Sequence, residues 1–184
     1  ALSLVGSEMC IRDSYWGYNP EVQFYATRGY GVIQMDYRGS TGYGRKEMML
    51  ANHEMGKSMQ EDKYDALFWA NEQGYVDMNN VCISGASYGG YAAMQAATKS
   101  PEIFKCIIAY VGVYDLTSSD LRGLQWSELS QPMEYIEKGN PRDPEDYKNL
   151  YENSPLFFAE NIEDPVLIIT GRRDSQVRFQ ETVD

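Results

Sequence analysis

Val81-Cys82-Ile83-Ser84-Gly85-Ala86-Ser87-Tyr88-Gly89-Gly90-Tyr91 passes from an apolar, β-type run through a turn of small residues into the alanine-rich stretch that ends at Lys99. The order is strand, tight turn, helix. Gly85 and Gly89 flank Ser87 on either side, where a sharp turn brings the backbone too close to itself for side chains. A serine held at such an apex faces the free N–H groups and positive dipole end of the helix behind it, where an oxyanion would be stabilised. Ser87 is therefore the candidate nucleophile, and the Tyr88 N–H the candidate oxyanion donor. An ordinary strand-to-helix turn is the competing explanation. It gives no reason for a following helix face of Gly90, Ala92, Ala93, Ala96 and Ala97, small enough to sit close on a sheet.

Working outward, Lys105–Val111 and Pro165–Thr170 are further apolar strands, and Gly31–Tyr37 is a β-rich run followed by the glycine-rich loop Arg38–Gly44. Asn19 can cap a helix that opens on Pro20, carries Val22, Phe24 and Tyr25, and stops at Gly29. A second helix spans Ser58 to Gln73, with Tyr64, Leu67, Phe68 and Trp69 at helical spacing and Gly74 ending it. The region from Tyr114 to Phe158 is polar and aromatic, with prolines. Alternating strands and helices predict one α/β domain, a mainly parallel sheet with helices on both faces. Such sheets collect their chemistry in loops at the carboxyl ends of the strands. Asp174, four residues past Thr170, lies in such a loop and is the candidate acid; Asp115, which also follows a strand, is its rival. His53 is the only histidine, precedes Ser87 and reads as a surface residue.

The 184 residues carry 16 Lys and Arg against 27 Asp and Glu, a formal charge of −11 that repels nucleic acid and anionic lipid. No apolar run is long enough to span a bilayer and no secretion signal opens the chain, so the reading is soluble, with the cytoplasm favoured over export. Cys10, Cys82 and Cys106 are too few for a disulfide framework, and the last two read as small buried hydrophobes. No metal-ligand spacing is present.

Leu4-Val5-Gly6-Ser7-Glu8-Met9-Cys10-Ile11-Arg12-Asp13 matches, in register, the translation of a transposase-based sequencing adapter, CTC GTG GGC TCG GAG ATG TGT ATA AGA GAC. Residues 1–14 are therefore expected to be foreign and to make no core contacts, with genuine sequence over 15–184 truncated at both ends.

Tyr37-Arg38-Gly39-Ser40-Thr41-Gly42-Tyr43-Gly44, Gly85-Ala86-Ser87-Tyr88-Gly89-Gly90-Tyr91 and Gly171-Arg172-Arg173-Asp174-Ser175-Gln176-Val177 together resemble the prolyl oligopeptidase family of α/β-hydrolase-fold serine peptidases, in its acylaminoacyl-peptidase-like and dipeptidyl-peptidase-like branches. The resemblance implies cleavage of short peptides, with Ser87 attacking the carbonyl and Asp174 supporting a histidine base. It places Val113, Gln176 and Val177 along the pocket for the residue before the scissile bond. No cofactor is implied. It also implies a β-propeller before this domain, a histidine-glycine-glycine segment just before Tyr15, and a triad histidine beyond Asp174; without that histidine the chain alone is expected to be inactive. An esterase or lipase of the same fold, and a non-catalytic binding domain, are the alternatives; amide against ester turnover separates the first.

Overall fold

Apolar strands need cover for their faces, and the chain supplies it by returning through helices between them. The structure, a computed structural model, describes residues 2–6, 16–118, 131–174, 177 and 179–182. In chain order its elements are β1 (Leu2–Gly6), α1 (Pro20–Ala26), β2 (Gly31–Gln34), α2 (Arg45–Met49), α3 (Ser58–Glu72), β3 (Val81–Ala86), α4 (Tyr88–Lys99), β4 (Cys106–Tyr110), α5 (Gln131–Lys138), α6 (Pro144–Glu152) and β5 (Val166–Ile169). Short 3-10 turns cover Met78–Asn80, Pro155–Asn161 and Phe179–Thr182.

The strands form one sheet in the order β2-β1-β3-β4-β5, every neighbouring pair parallel. This is the expected α/β architecture, a parallel sheet flanked by helices. The predicted strand over Gly31–Tyr37 ends earlier, at Gln34, because Tyr37 to Ser40 turn back on themselves: the Ser40 N–H and hydroxyl both donate to the Tyr37 carbonyl. Between Tyr114 and Phe158 the polar stretch contains α5 and α6. Asp143 caps α6 by accepting from the Glu145 and Asp146 N–H groups, with Pro144 opening the helix.

On one face of the sheet, Val81 and Ile83 of β3 and Ile107 and Ala109 of β4 pack with Leu67 of α3 and Ala93, Ala96 and Ala97 of α4. Every residue of α4 from Tyr88 to Thr98 is buried, and the small side chains let it approach the strands closely. On the other face Cys82, Cys106 and Ile108 are half-buried, and Tyr110, Leu167 and Ile169 are 49%, 54% and 42% exposed.

Two expectations are corrected here. Leu2–Gly6 does not stay off the fold: it is an interior strand, paired with β2 from Leu2↔Gly31 to Val5↔Gln34 and with β3 from Leu2↔Val81 to Gly6↔Gly85. Leu-Ser-Leu-Val is compatible with extended backbone, and the position between β2 and β3 offers hydrogen-bonding partners on both sides. Cys82 and Cys106, read as buried hydrophobes, are joined in a disulfide. The parallel register sets them directly opposite on β3 and β4, with Cα atoms 4.7 Å apart.

Candidate active site

Because all strands run the same way, the ends of β2, β3, β4 and β5 lie along a single edge of the sheet. Ser87 follows β3 there with φ 53° and ψ −115°, a backbone conformation that L-residues avoid. Two features of the sequence hold it. A Cβ on Gly85 would come within 2.5 Å of the Gly89 carbonyl, and one on Gly90 within 2.6 Å of the Tyr110 carbonyl oxygen, so only glycine permits α4 to start this close to β3 and β4. The Ser87 N–H donates to the Tyr110 carbonyl at 2.9 Å, and the Ser87 carbonyl accepts from Tyr91 N–H at 3.1 Å. Tyr88 is the first residue of α4, so its N–H lies at the positive end of the helix dipole.

Asp174 lies five residues past the end of β5, exposed, in a turn closed by its N–H to the Gly171 carbonyl at 3.1 Å. Its carboxylate accepts from the Val177 N–H at 3.0 Å. Ala86, Tyr110 and Ile169 stand in one row across β3, β4 and β5, so Ser87 and Asp174 leave the same edge with β4 between them. Two strand spacings are roughly 10 Å.

The rival acid is otherwise engaged: the Asp115 carboxylate accepts from the Thr117 N–H at 2.8 Å and hydroxyl at 2.6 Å, a local turn. His53 sits between α2 and α3. Its N–H donates to the Glu137 carbonyl at 2.8 Å, and its ring lies 3.5 Å from the Asp146 carboxylate, 46% exposed. Val113 packs beside the cluster of Tyr37, Tyr88 and Tyr91; Val177 is buried; Gln176 lies outside the described residues.

Behind the serine lies a polar and aromatic support that no sequence spacing announced. The Arg38 guanidinium makes a two-pronged contact with Asp62 of α3 at 2.9 and 2.6 Å, and the Arg38 N–H adds a third bond at 2.9 Å. Burial pushes the Asp62 carboxyl up, but the Arg38 hydrogen bonds and charge outweigh it and hold the group below the ordinary carboxylate value. Tyr37 and Tyr88 pack at 5.1 Å between ring centres, and Tyr88 on Tyr91 at 5.5 Å. Tyr91 is fully buried, donates to the Asn153 carbonyl at 2.9 Å, and is pushed well above the usual phenol pKa by desolvation. Arg38 and Tyr37 were visible as a loop motif; their partners lie on other elements.

A model of the prolyl oligopeptidase family matches residues 16–184. Dipeptidyl aminopeptidase BIII of Pseudoxanthomonas mexicana is 37% identical over 172 residues, 93% of this chain and 25% of the relative. Dipeptidyl peptidase family member 6 of Caenorhabditis elegans is 34% identical over 173 residues, 93% of this chain and 23% of the relative. The chain therefore spans about a quarter of the length of these curated relatives. Among solved structures, a puromycin-hydrolyzing peptidase of Mycobacterium tuberculosis superposes with a TM-score of 0.88 at 27% identity, over 99% of this chain and 27% of that one. Among the described residues, no helix is long and apolar enough to cross a membrane.

Proposed function

The chain belongs to the prolyl oligopeptidase family of serine peptidases, and on that footing we propose that the protein carrying this segment hydrolyses short peptides through an acyl-enzyme formed on Ser87. The reading is supported above all by the strained turn at Ser87, which stands at the edge from which Asp174 also departs. In this mechanism the Ser87 Oγ attacks the scissile carbonyl while a histidine from outside the 184 residues takes its proton. Asp174 orients that imidazole and stabilises its positive form. The Tyr88 N–H meets the oxyanion, joined by a second donor from outside the chain. The histidine then returns its proton to the departing amine, and water resolves the ester. Val113, Gln176 and Val177 border the pocket for the residue before the cut. No cofactor enters.

The same reading holds residues 1–14 to be foreign, on the adapter match of Leu4 to Asp13, and expects a β-propeller ahead of this domain in the whole protein. The decisive experiment compares the full-length protein with its Ser87→Ala variant. Wild type should cleave a chromogenic dipeptide and take up one fluorophosphonate label per chain; Ser87→Ala should do neither. The 184-residue chain alone should show no Ser87-dependent turnover, because loss of a triad member costs about 10⁶. Undiminished hydrolysis by Ser87→Ala overturns the assignment.

A further inference from the structure

We propose that the left-handed turn at Val111-Gly112 is a positioning element for the nucleophile, a backbone seat that fixes the first turn of α4 and with it Ser87; this rests on the reading of Ser87 given above. Among the described residues, His53, Ser87 and Val111 are the non-glycine residues with positive φ, and Val111 stands at 45°. A branched Cβ makes that conformation especially unfavourable for valine. The strained residue is tied to the strained serine: the carbonyl of Tyr110, just before it, accepts from the Ser87 N–H at 2.9 Å. Its own N–H donates to the Ile169 carbonyl at 2.8 Å. These two bonds join the exits of β3, β4 and β5.

What the strain achieves is visible at the next residue. A Cβ on Gly112 would come within 2.6 Å of the Gly90 carbonyl carbon and 2.7 Å of the Tyr91 nitrogen, and one on Gly90 within 3.0 Å of the Gly112 Cα. Backbone lies on backbone, with no side chain between the exit of β4 and the first turn of α4. Extended backbone at Val111 would continue the direction of β4, whereas a left-handed residue breaks it and lays Gly112 against α4. Beyond the turn the chain is held again, for Tyr114 is buried and its carbonyl accepts from the Leu156 N–H at 3.1 Å. Strain of this kind persists only where the surroundings over-determine it, and such places gather at working sites. The contact sets how closely α4 opens on β4, and so where Ser87 stands at the edge. Attack by a serine is sensitive to that placement, since a shift of about 1 Å can cost about a hundredfold in rate.

The test uses the full-length protein. Gly112→Ala inserts a methyl group against α4 and should lower kcat about tenfold while KM stays within about threefold of wild type. The rate of labelling by a small fluorophosphonate, which reads attack by Ser87 without peptide binding, should fall by the same factor. Val111→Asn, whose side chain enters the left-handed region readily, is the conservative variant and should hold kcat within about twofold. Val111→Gly frees the turn, and should speed hydrogen exchange at the Ser87 amide and lower kcat about threefold. If Gly112→Ala does not fold, Val111→Gly decides. Folded Gly112→Ala with kcat and labelling rate within about twofold of wild type overturns the proposal, as does Val111→Gly with unchanged exchange and turnover. A loss of about tenfold in Val111→Asn also overturns it, by moving the effect from the turn to the valine side chain. Ser87→Ala run alongside separates the failures: turnover surviving in it refutes the nucleophile, whereas its loss beside unimpaired Gly112 and Val111 variants refutes only the seat.

Discussion

At Ser87, a φ of 53° stores strain that the surrounding contacts must sustain, and the glycines at 85 and 90 are what make those contacts possible. The two aspartates near this edge differ in the same local terms. The Asp174 carboxylate binds the backbone of its own loop on the far side of β4 from Ser87, whereas Asp115 is spent on Thr117. In the full-length protein, Asp174→Asn should therefore leave the melting temperature nearly unchanged and cut turnover by roughly 10⁴, because an amide can hold the imidazole in the wrong tautomer. Asp115→Asn should change turnover by less than about threefold. Steady-state kinetics on the two variants check this; the opposite ranking would move the acid to Asp115. The elbow was legible from sequence because its demands are local: glycine within two positions, a strand before, a helix after. The contacts of the Lys63 ammonium with the Tyr37 and Tyr88 rings were not, since α3 shows nothing of them in its own spacing.

Between elements, the link from Arg38 to Asp62 ties the loop after β2 to α3 through three hydrogen bonds. Asp62 has a folded-state pKa below its unfolded one, so its stabilisation is fully present above the unfolded value of about 3.9 and is lost as pH falls through the folded value. Asp62→Asn should thus cost about 2 kcal/mol at neutral pH, and the gap from wild type should close in acid. Urea titrations at pH 7 and pH 3 would show it; an equal gap at both would refute the ion pair. The disulfide is a second link, between β3 and β4. Peptides containing Cys82 and Cys106 should run as one mass in a non-reduced digest and separate on reduction. Their separate strands were legible from apolar runs, but a sequence separation of 24 carries no record of register, and so the pairing was missed. For α6 the signal was present, in the capping Asp143 followed by Pro144, and was masked by the polarity of the residues around it.

Over the whole molecule, the sheet buries one face under α3 and α4 and leaves Tyr110, Leu167 and Ile169 substantially exposed on the other, an apolar surface that invites self-association. The fold class followed from the alternation of elements, because a parallel sheet needs crossover helices wherever it occurs. The place of β1 did not, for a strand's position in a sheet depends on what its neighbours leave open. Among the described residues, its ladders to β2 and β3 are the strand pairing that carries the sheet from one to the other. A protein starting at Tyr15 should lose amide-exchange protection in β2, while β3 keeps the partner it has in β4. Adding a synthetic peptide of residues 1–6 should restore that protection in a saturable way; exchange in β2 that ignores both changes would refute it. If residues 1–14 are foreign, the groove between β2 and β3 accepts a strand by its backbone and its alternation rather than by its ancestry. The catalytic edge would then be built on a socket open to strand complementation by unrelated peptides, and a short designed strand could serve as a handle for assembling the domain on demand.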